Sequence, residues 1–536
     1  MSLDKPQSWP DAAPKPAFSP DSRERNLERL RSEPFDFLIV GGGINGAGVA
    51  RDLALRSQRS GIPLRVALIE QRHFASGTSG KNSQLLHGGL RYLKQLEFRL
   101  VRESLRERGV LLALAPHLAE PLSFLIPFYS RTDAMFYGSG LWLYHFLAGK
   151  RSRGRPRFLT PRELARLEPG LARQNLVGGG IYEDGRVHSA RFLLENIFDA
   201  ARWGAVIANY TRADDVTGSG AMATEVFSGD RFFIRARKII DATGPWESAE
   251  PLRLVRGSHI VVSRLNASNH AIAFFEETGR IVFVIPWGSR LQFSLVGTTD
   301  CDHTQGPDCV AISPGEVQYL LNILRRIYPT AERVEPIAAF SSLRPLVGGG
   351  EESASETSRE HRIWNSSDGV LHIAGGKYTT YRLMSEQAAD QCLREVAPEL
   401  VGRCFTTETP LGGNTAQSFQ SLMEDAPVLA AGMGLEPEEA RVTVREYGLQ
   451  AGTLLSLVPP SGPDRLLRAR IAFAVRHEMA RRLADFLFVS SYIGYERSWT
   501  PEDLMPLAHE MGSHLGWNHA RVEEEVRLAL TVCLAA

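Results

Sequence analysis

The stretch FDFLIVGGGING, residues 35–46, decides the fold. Phe35 to Val40 is an apolar run of strand length that enters glycine directly, and alanines and leucines at helical spacing follow from Val49 to Arg56. A second apolar run, Leu64 to Ile69, ends at Glu70. Strand, glycine-rich turn, helix, strand is the opening unit of a dinucleotide-binding fold. Within G-x-G-x-x-G each glycine has a task. Gly41 permits the tight turn, Gly43 lets the backbone approach a pyrophosphate, and Gly46 permits close helix packing. The helix N-terminus favours the anion. Glu70 can accept hydrogen bonds from ribose hydroxyls and disfavours a 2′-phosphate.

That turn alone does not separate NAD from FAD. A second glycine junction lies far downstream, GGKYTT at 375–380, entered from an apolar strand at Leu371 to Ala374 and followed by a helix from Tyr381 to about Cys392. Paired with the first, it suits a two-domain flavoprotein in which backbone N–H groups face the ring or the ribityl chain.

Between these junctions the pattern alternates. Helices are expected at Glu97–Leu114, His188–Ala201 and Ser313–Tyr328, a strand at Phe232–Ile240 running into ATGP, and a β-rich region over His259–Asp300. After Thr407 the chain is dominated by helical patterns. The first residues, MSLDKPQSWPDAAPKPAFSP, carry no apolar signal core and read as a flexible, Pro- and Ser-rich tail to about Arg31.

At 536 residues, with 43% apolar and 23% charged side chains, the chain is a folded protein of two or three domains. Lys plus Arg equals Asp plus Glu at 61 each, so no global basic field argues for nucleic acid. Five cysteines without a CxxC pair argue against a disulfide scaffold or a structural zinc and for a reducing compartment. No run has the length of a membrane span. One stretch, MFYGSGLWLYHFLAG at 135–149, is aromatic and aliphatic, and Lys150, Arg151, Arg153, Arg155 and Arg157 follow it. Such a pairing fits a surface that presses apolar side chains into lipid while cations meet head groups. The alternative is a buried helix followed by a solvated loop.

VGGGINGAGVARDLALR, LLHGGLRYL, FRLVRESLRERGVLLALAPHL, ATGPW, RGSHIVVSR, RIVFVIPW, VGTTD, the RPL element at 344–346 and GGKYTTYR occur in this order over Phe35 to Ala388. In these motifs the chain resembles the FAD-dependent glycerol-3-phosphate dehydrogenases. The resemblance implies an α/β, Rossmann-like FAD-binding domain of the D-amino-acid-oxidase-like two-domain type, with a β-rich substrate cap and a C-terminal helical domain. The expected boundaries are a tail at 1–33, FAD segments at 34–92, 170–256 and 344–405, cap segments at 93–169 and 257–343, and helices over 408–536.

The resemblance further implies hydride transfer from C2 of sn-glycerol 3-phosphate to flavin N5, electrons passed to a quinone, and, in some relatives, to oxygen. It implies a cytoplasmic enzyme peripherally attached to the inner face of the cell membrane, with a homodimer as a further expectation. Carried over by motif, the catalytic residues are His259, Arg344 and Lys377, and the substrate-binding residues are Arg91, Tyr92 and Arg359. Flavin contacts are expected from Thr78, Ser79, His87, Gly88, Gly244, Gly375, Gly376 and Thr379, beside Gly41, Gly43, Gly46 and Glu70. The chemistry suits these types. A phosphate dianion wants Arg and Lys donors. The C2 hydroxyl must lose a proton as its hydride leaves, and histidine is the natural acceptor. Two departures stand out. Gln84 replaces the family's lysine before LLHGG, leaving Lys81 as the nearby cation. In ARRLADFLFVSS at 480–491, Asp485 is kept but the arginines expected after it are absent.

Overall fold

The computed structural model describes residues 18–535 except 94, 152–153, 247–248, 251, 277–279 and 349–359, and the side chains of Arg91, Lys150, Leu534 and Ala535. Two sheets organise it. In the first, Phe35–Val40 lies between Arg231–Asp241 and Val66–Ile69, parallel to both. Leu371–Gly375 and Val206–Ala208 extend it outward, also in parallel. His361–Asn365 closes one edge in antiparallel fashion. The central strands are almost wholly apolar and buried because both faces are covered, one by the helix Ile44–Ser60 and the other by the antiparallel pair Thr211–Thr217 and Gly220–Glu225 together with Leu27 and Leu30. The helix Ile44–Ser60 packs on Ser189–Arg202 and Tyr381–Val396.

The second sheet has ten strands and is largely antiparallel. At its centre Arg253–Ser263 pairs with Ala338–Leu346 on one side and Phe293–Gly297 on the other. Gly178–Val187, which fell inside an expected FAD segment, belongs here instead. It pairs along its whole length with Ala119–Phe128, so cross-strand pairing overrides the expected assignment.

The flexible tail also needs correction. Residues 1–17 lie outside the described residues, but Pro20–Ser32 is a helix with a Ser19–Ser22 capping box. Leu27 and Leu30 are buried in the core, and buried Arg23 pairs with Glu225 and the Asn209 carbonyl. Expecting disorder from composition missed a helix held by tertiary contacts.

Helices fill the C-terminal region, among them Ala416–Met433, Pro437–Tyr447, Arg465–His477, Pro501–Leu515 and His519–Ala535. They are fastened to the first sheet's helical layer by buried polar contacts. Arg191 pairs with Glu478, Gln450 donates to Glu195 at 2.7 Å, and Arg51 reaches both Asp199 and the Thr409 carbonyl. Removing one partner would strand a buried charge, a loss of about 3–5 kcal/mol. No described helix is long and apolar enough to cross a membrane.

Candidate active site

A cavity of about 550 Å³ is lined by residues of both sheets and by the two glycine junctions. At one end the first junction forms the cradle its sequence predicts. Gly41 has φ +112°, and a Cβ there would sit 2.6 Å from the Ala242 carbonyl oxygen. A Cβ at Gly46 would meet the Gly41 carbonyl oxygen at 2.0 Å, so Gly46 makes the turn possible without lining the cavity. Gly43 caps the helix Ile44–Ser60 and faces open space, since the nearest atom to a Cβ would be Ser79 Oγ at 3.4 Å. Ser79 Oγ accepts from the Ile44 N–H at 2.9 Å. Glu70, at the end of Val66–Ile69, accepts from the N–H groups of Gly42 at 2.6 Å and Arg72 at 2.8 Å. Burial raises its pKa, and these backbone donors oppose the shift. Each carboxylate oxygen keeps a lone pair for a hydroxyl. A bare glycine edge at a helix N-terminus beside this carboxylate fits a dinucleotide's pyrophosphate and ribose.

Further along, Thr78 donates to the Leu343 carbonyl at 2.6 Å and ties this loop to the second sheet. Gly244 lines the cavity at φ +66°, and the late junction meets the early one where the His87 N–H donates to Thr379 Oγ1 at 3.2 Å. His87, Gly375, Gly376 and Thr379 all line the cavity. Gly88, expected at the flavin, does not. A Cβ there would lie 2.4 Å from the Tyr144 hydroxyl, so Gly88 is a packing glycine, and its N–H donates to that hydroxyl at 2.7 Å.

The other end carries the expected catalytic set. His259 and Arg344 stand on adjacent antiparallel strands, where His259 pairs with Phe340 and Arg344 with Val255. Arg344 donates to Asp300 Oδ1 at 2.7 Å, Thr298 Oγ1 at 2.7 Å and the Thr299 carbonyl at 3.1 Å. Its guanidinium occupies the space a Cβ on Gly257 would take. Lys377 lies over the Tyr92 ring, 4.0 Å from its centroid, and donates to Ser104 Oγ at 3.3 Å. His259, Tyr92, Arg344 and Lys377 all line the one cavity. Arg91 sits in the short helix Leu90–Leu93, with its side chain outside the described residues, where Arg359 also lies.

His259 is buried, and its ring stacks on Phe340 with centroids 5.0 Å apart. Burial, reinforced by the Arg344 charge and opposed by Asp300, lowers its pKa from 6.5 to about 3. The imidazole is therefore neutral at physiological pH.

Several supports escaped sequence reading. Buried Asp184 gathers the Tyr144 hydroxyl, Arg108 and the Gly88 N–H, and so fixes the turn at 88–89. Its only sequence signal is an acid inside the apolar-flanked IYEDGRV. Tyr495, from the C-terminal region, packs on Phe340 at 5.0 Å behind His259. Tyr492 donates to the Gly80 carbonyl at 2.8 Å and stacks on His188. The altered segment ends in a π-helical turn, Phe486–Ser490, and retained Asp485 accepts from the N–H groups of Arg481 and Arg482 and from the Tyr210 hydroxyl. Neither Gln84 nor Lys81 lines the cavity. Gln84 adopts φ +55°, and its carbonyl accepts from the Val187 N–H.

A nucleotide cradle opening onto a β-walled chamber defines a two-domain flavoprotein oxidoreductase. The family model described as FAD dependent oxidoreductase matches residues 36–382, and that for the C-terminal domain of alpha-glycerophosphate oxidase matches residues 404–522. The glycerol-3-phosphate dehydrogenase 2 of Mycobacterium tuberculosis is 34% identical, over 97% of this chain and 91% of its own length. The aerobic glycerol-3-phosphate dehydrogenase of Staphylococcus epidermidis is 31% identical, over 87% of this chain and 88% of its own. The structure of the Bacillus halodurans glycerol-3-phosphate dehydrogenase complexed with FAD shares the fold, with a TM-score of 0.78, 24% identity, and coverage of 96% of this chain and 98% of that one. The chain belongs to the FAD-dependent glycerol-3-phosphate dehydrogenase family, and its cofactor is FAD.

Proposed function

We propose that this enzyme oxidises sn-glycerol 3-phosphate to dihydroxyacetone phosphate and passes the electrons to a membrane quinone. The observation that carries the reading is the convergence of His259, Arg344, Lys377 and Tyr92 on a single cavity that also holds the FAD cradle. Bound FAD supplies the hydride acceptor. Gly41, Gly43 and Glu70 hold its nucleotide end, and His87, Gly375, Gly376 and Thr379 border the flavin end. Arg344 and Lys377 bind the phosphate or steady the alkoxide that develops at C2, with Arg91 and Arg359 as further cations for the phosphate. Neutral His259 takes the C2 hydroxyl proton.

Anaerobic mixing of holoenzyme with sn-glycerol 3-phosphate tests the donor. Loss of the oxidised flavin absorbance supports it, and an unchanged spectrum in FAD-loaded protein refutes it. Re-oxidation by a soluble quinone analogue, faster than by dissolved oxygen, supports the quinone. The C-terminal match to an oxidase family favours oxygen as the second reading.

The quinone reading implies a membrane surface, and the helix Arg131–Ala148 supplies a suitable one. Met135, Phe136, Trp142, Leu143 and Phe146 share one arc of it, and Met135 and Phe146 are 73% and 70% exposed. Leu141 and Tyr144, on the opposite arc, are buried. Exposed Arg151, Arg155 and Arg157 follow. Apolar side chains beside cations suit an anionic bilayer at the cytoplasmic face.

A further inference from the structure

Among the described residues, the ring of His259 has one polar outlet. Phe340 covers a face, and the Cδ2 edge occupies the space of a missing Cβ at Gly297, where a methyl would sit 2.3 Å from that carbon. Nδ1 is buried and meets no hydrogen-bond partner among the described residues. Nε2 has one, Ser83 Oγ, at 2.8 Å. Ser83 in turn lines the cavity.

Its loop is well held. Asn82 Oδ1 accepts from the Gln84 N–H at 2.8 Å, while Asn82 Nδ2 donates to the Ser79 carbonyl at 2.8 Å and the Thr78 carbonyl at 3.3 Å. Leu85 and Leu86 then join the second sheet opposite Arg186 and Gly185. Ser83 is therefore fixed between the nucleotide-side loop and the substrate-side strand, with its hydroxyl against the imidazole.

We propose that the Ser83 hydroxyl carries the proton from the C2 hydroxyl of the substrate to Nε2 of His259. This rests on the reading that the site oxidises the secondary alcohol of glycerol 3-phosphate. As the C2 hydride leaves with its electron pair for bound FAD, the substrate O–H bond breaks. Its electrons become the second bond of the new C2 carbonyl, and its proton bonds to Ser83 Oγ. With the neutral ring's proton on Nδ1, so that Nε2 presents its lone pair to Ser83, the original Ser83 O–H bond breaks and that proton bonds to Nε2. The imidazolium later returns its proton to solvent by the same hydroxyl. A hydroxyl can act this way because it has one donor and two acceptor sites. Alanine lacks both, whereas threonine keeps them.

The test uses FAD-loaded wild type, Ser83→Ala and Ser83→Thr in anaerobic stopped-flow with sn-glycerol 3-phosphate, in H2O and D2O. Ser83→Ala should lower the limiting rate of flavin reduction about 100-fold, within the range of positioned proton transfer. Its FAD content and substrate dissociation constant should stay at wild-type values, and Ser83→Thr should recover most of the rate. In mixtures of H2O and D2O, the wild-type rate should follow a curved proton inventory, with two protons in flight, and the alanine variant a linear one. A Ser83→Ala rate within about twofold of wild type overturns the proposal, since a positioned proton carrier is worth far more. Loss of FAD with an unchanged rate in the loaded fraction overturns it too, making Ser83 a cofactor-holding residue. If the alanine variant does not fold, a linear wild-type inventory still overturns it. Wild type that is not reduced at all overturns the functional reading beneath, an outcome distinct from reduced wild type with an unaffected variant.

Discussion

The nucleotide end and the substrate end of the cavity are built differently. The nucleotide end is local. Gly41, Gly43 and Gly46 lie within six consecutive residues, and a neighbouring parallel strand supplies Glu70. The substrate end is assembled from afar. Lys377 donates to Ser104, 273 positions away, and Ser83 meets His259 across 176. Local geometry leaves little tolerance for a side chain, whereas long-range assembly distributes the chemistry over separable groups. Substitutions at the first end should therefore act on cofactor loading, and those at the second on rate.

Gly46→Val gives the largest expected effect. Its Cβ would fall 2.0 Å from the Gly41 carbonyl oxygen, inside any permitted contact, so the variant should purify without FAD. The ratio of flavin to protein absorbance reads this directly, and normal loading would show that the turn can rearrange. His259→Asn should keep its FAD and lose kcat by about 10²–10⁴-fold. A kcat equal to wild type across the pH range rules His259 out as the base. Arg344→Met should weaken kcat/KM for glycerol 3-phosphate by roughly 10–100-fold, the worth of about 1.5–3 kcal/mol for hydrogen bonds to a charged group. FAD loading should again be normal. Loss of FAD in either of the last two would break the separation between the ends.

Acid should act through stability where the C-terminal region meets the helix Ser189–Arg202, at His188 stacked on Tyr492. Burial lowers the pKa of His188 from 6.5 to about 4. Below pH 6.5 the unfolded chain binds a proton that the folded one refuses, so stability rises with pH in this window. The contribution is complete above about 6.5 and is lost as pH falls towards 4. Urea midpoints of holoprotein should therefore fall more steeply on acidification for wild type than for His188→Gln, by up to one proton's slope. Parallel slopes would contradict a neutral His188 in the folded protein. The smallest effect concerns neither end. Replacing Arg155 and Arg157 by Gln should weaken binding to phosphatidylserine vesicles by about 1 kcal/mol each and leave flavin reduction by glycerol 3-phosphate unchanged. Equal vesicle binding would count against this face.

The same contrast explains what the sequence could tell. The first glycine turn was legible because strand, turn and helix signals are contiguous and each glycine answers a steric demand. The substrate residues were reached through resemblance, since nothing in the spacing of His259, Arg344 and Lys377 brings them together; strand pairing does. Ser83 was invisible because its role depends on which nitrogen of a distant ring remains accessible. Asp184 was invisible because its three partners come from separate elements. The helix Pro20–Ser32 hid behind a Pro-rich approach, although Ser19–Pro20–Asp21–Ser22 and the pair Leu27, Leu30 carry its start and its buried face.

The most direct test of the account compares glycerol 3-phosphate with glycerol as reductants of the wild-type holoenzyme under anaerobic conditions. On the proposed reading, Arg344 and Lys377 have a phosphate to hold in one case and none in the other. Flavin reduction should be fast with glycerol 3-phosphate and slower by about 100-fold or more with equimolar glycerol, the loss of at least one charge-assisted contact. Equal rates, or no reduction by the phosphate ester, would contradict it.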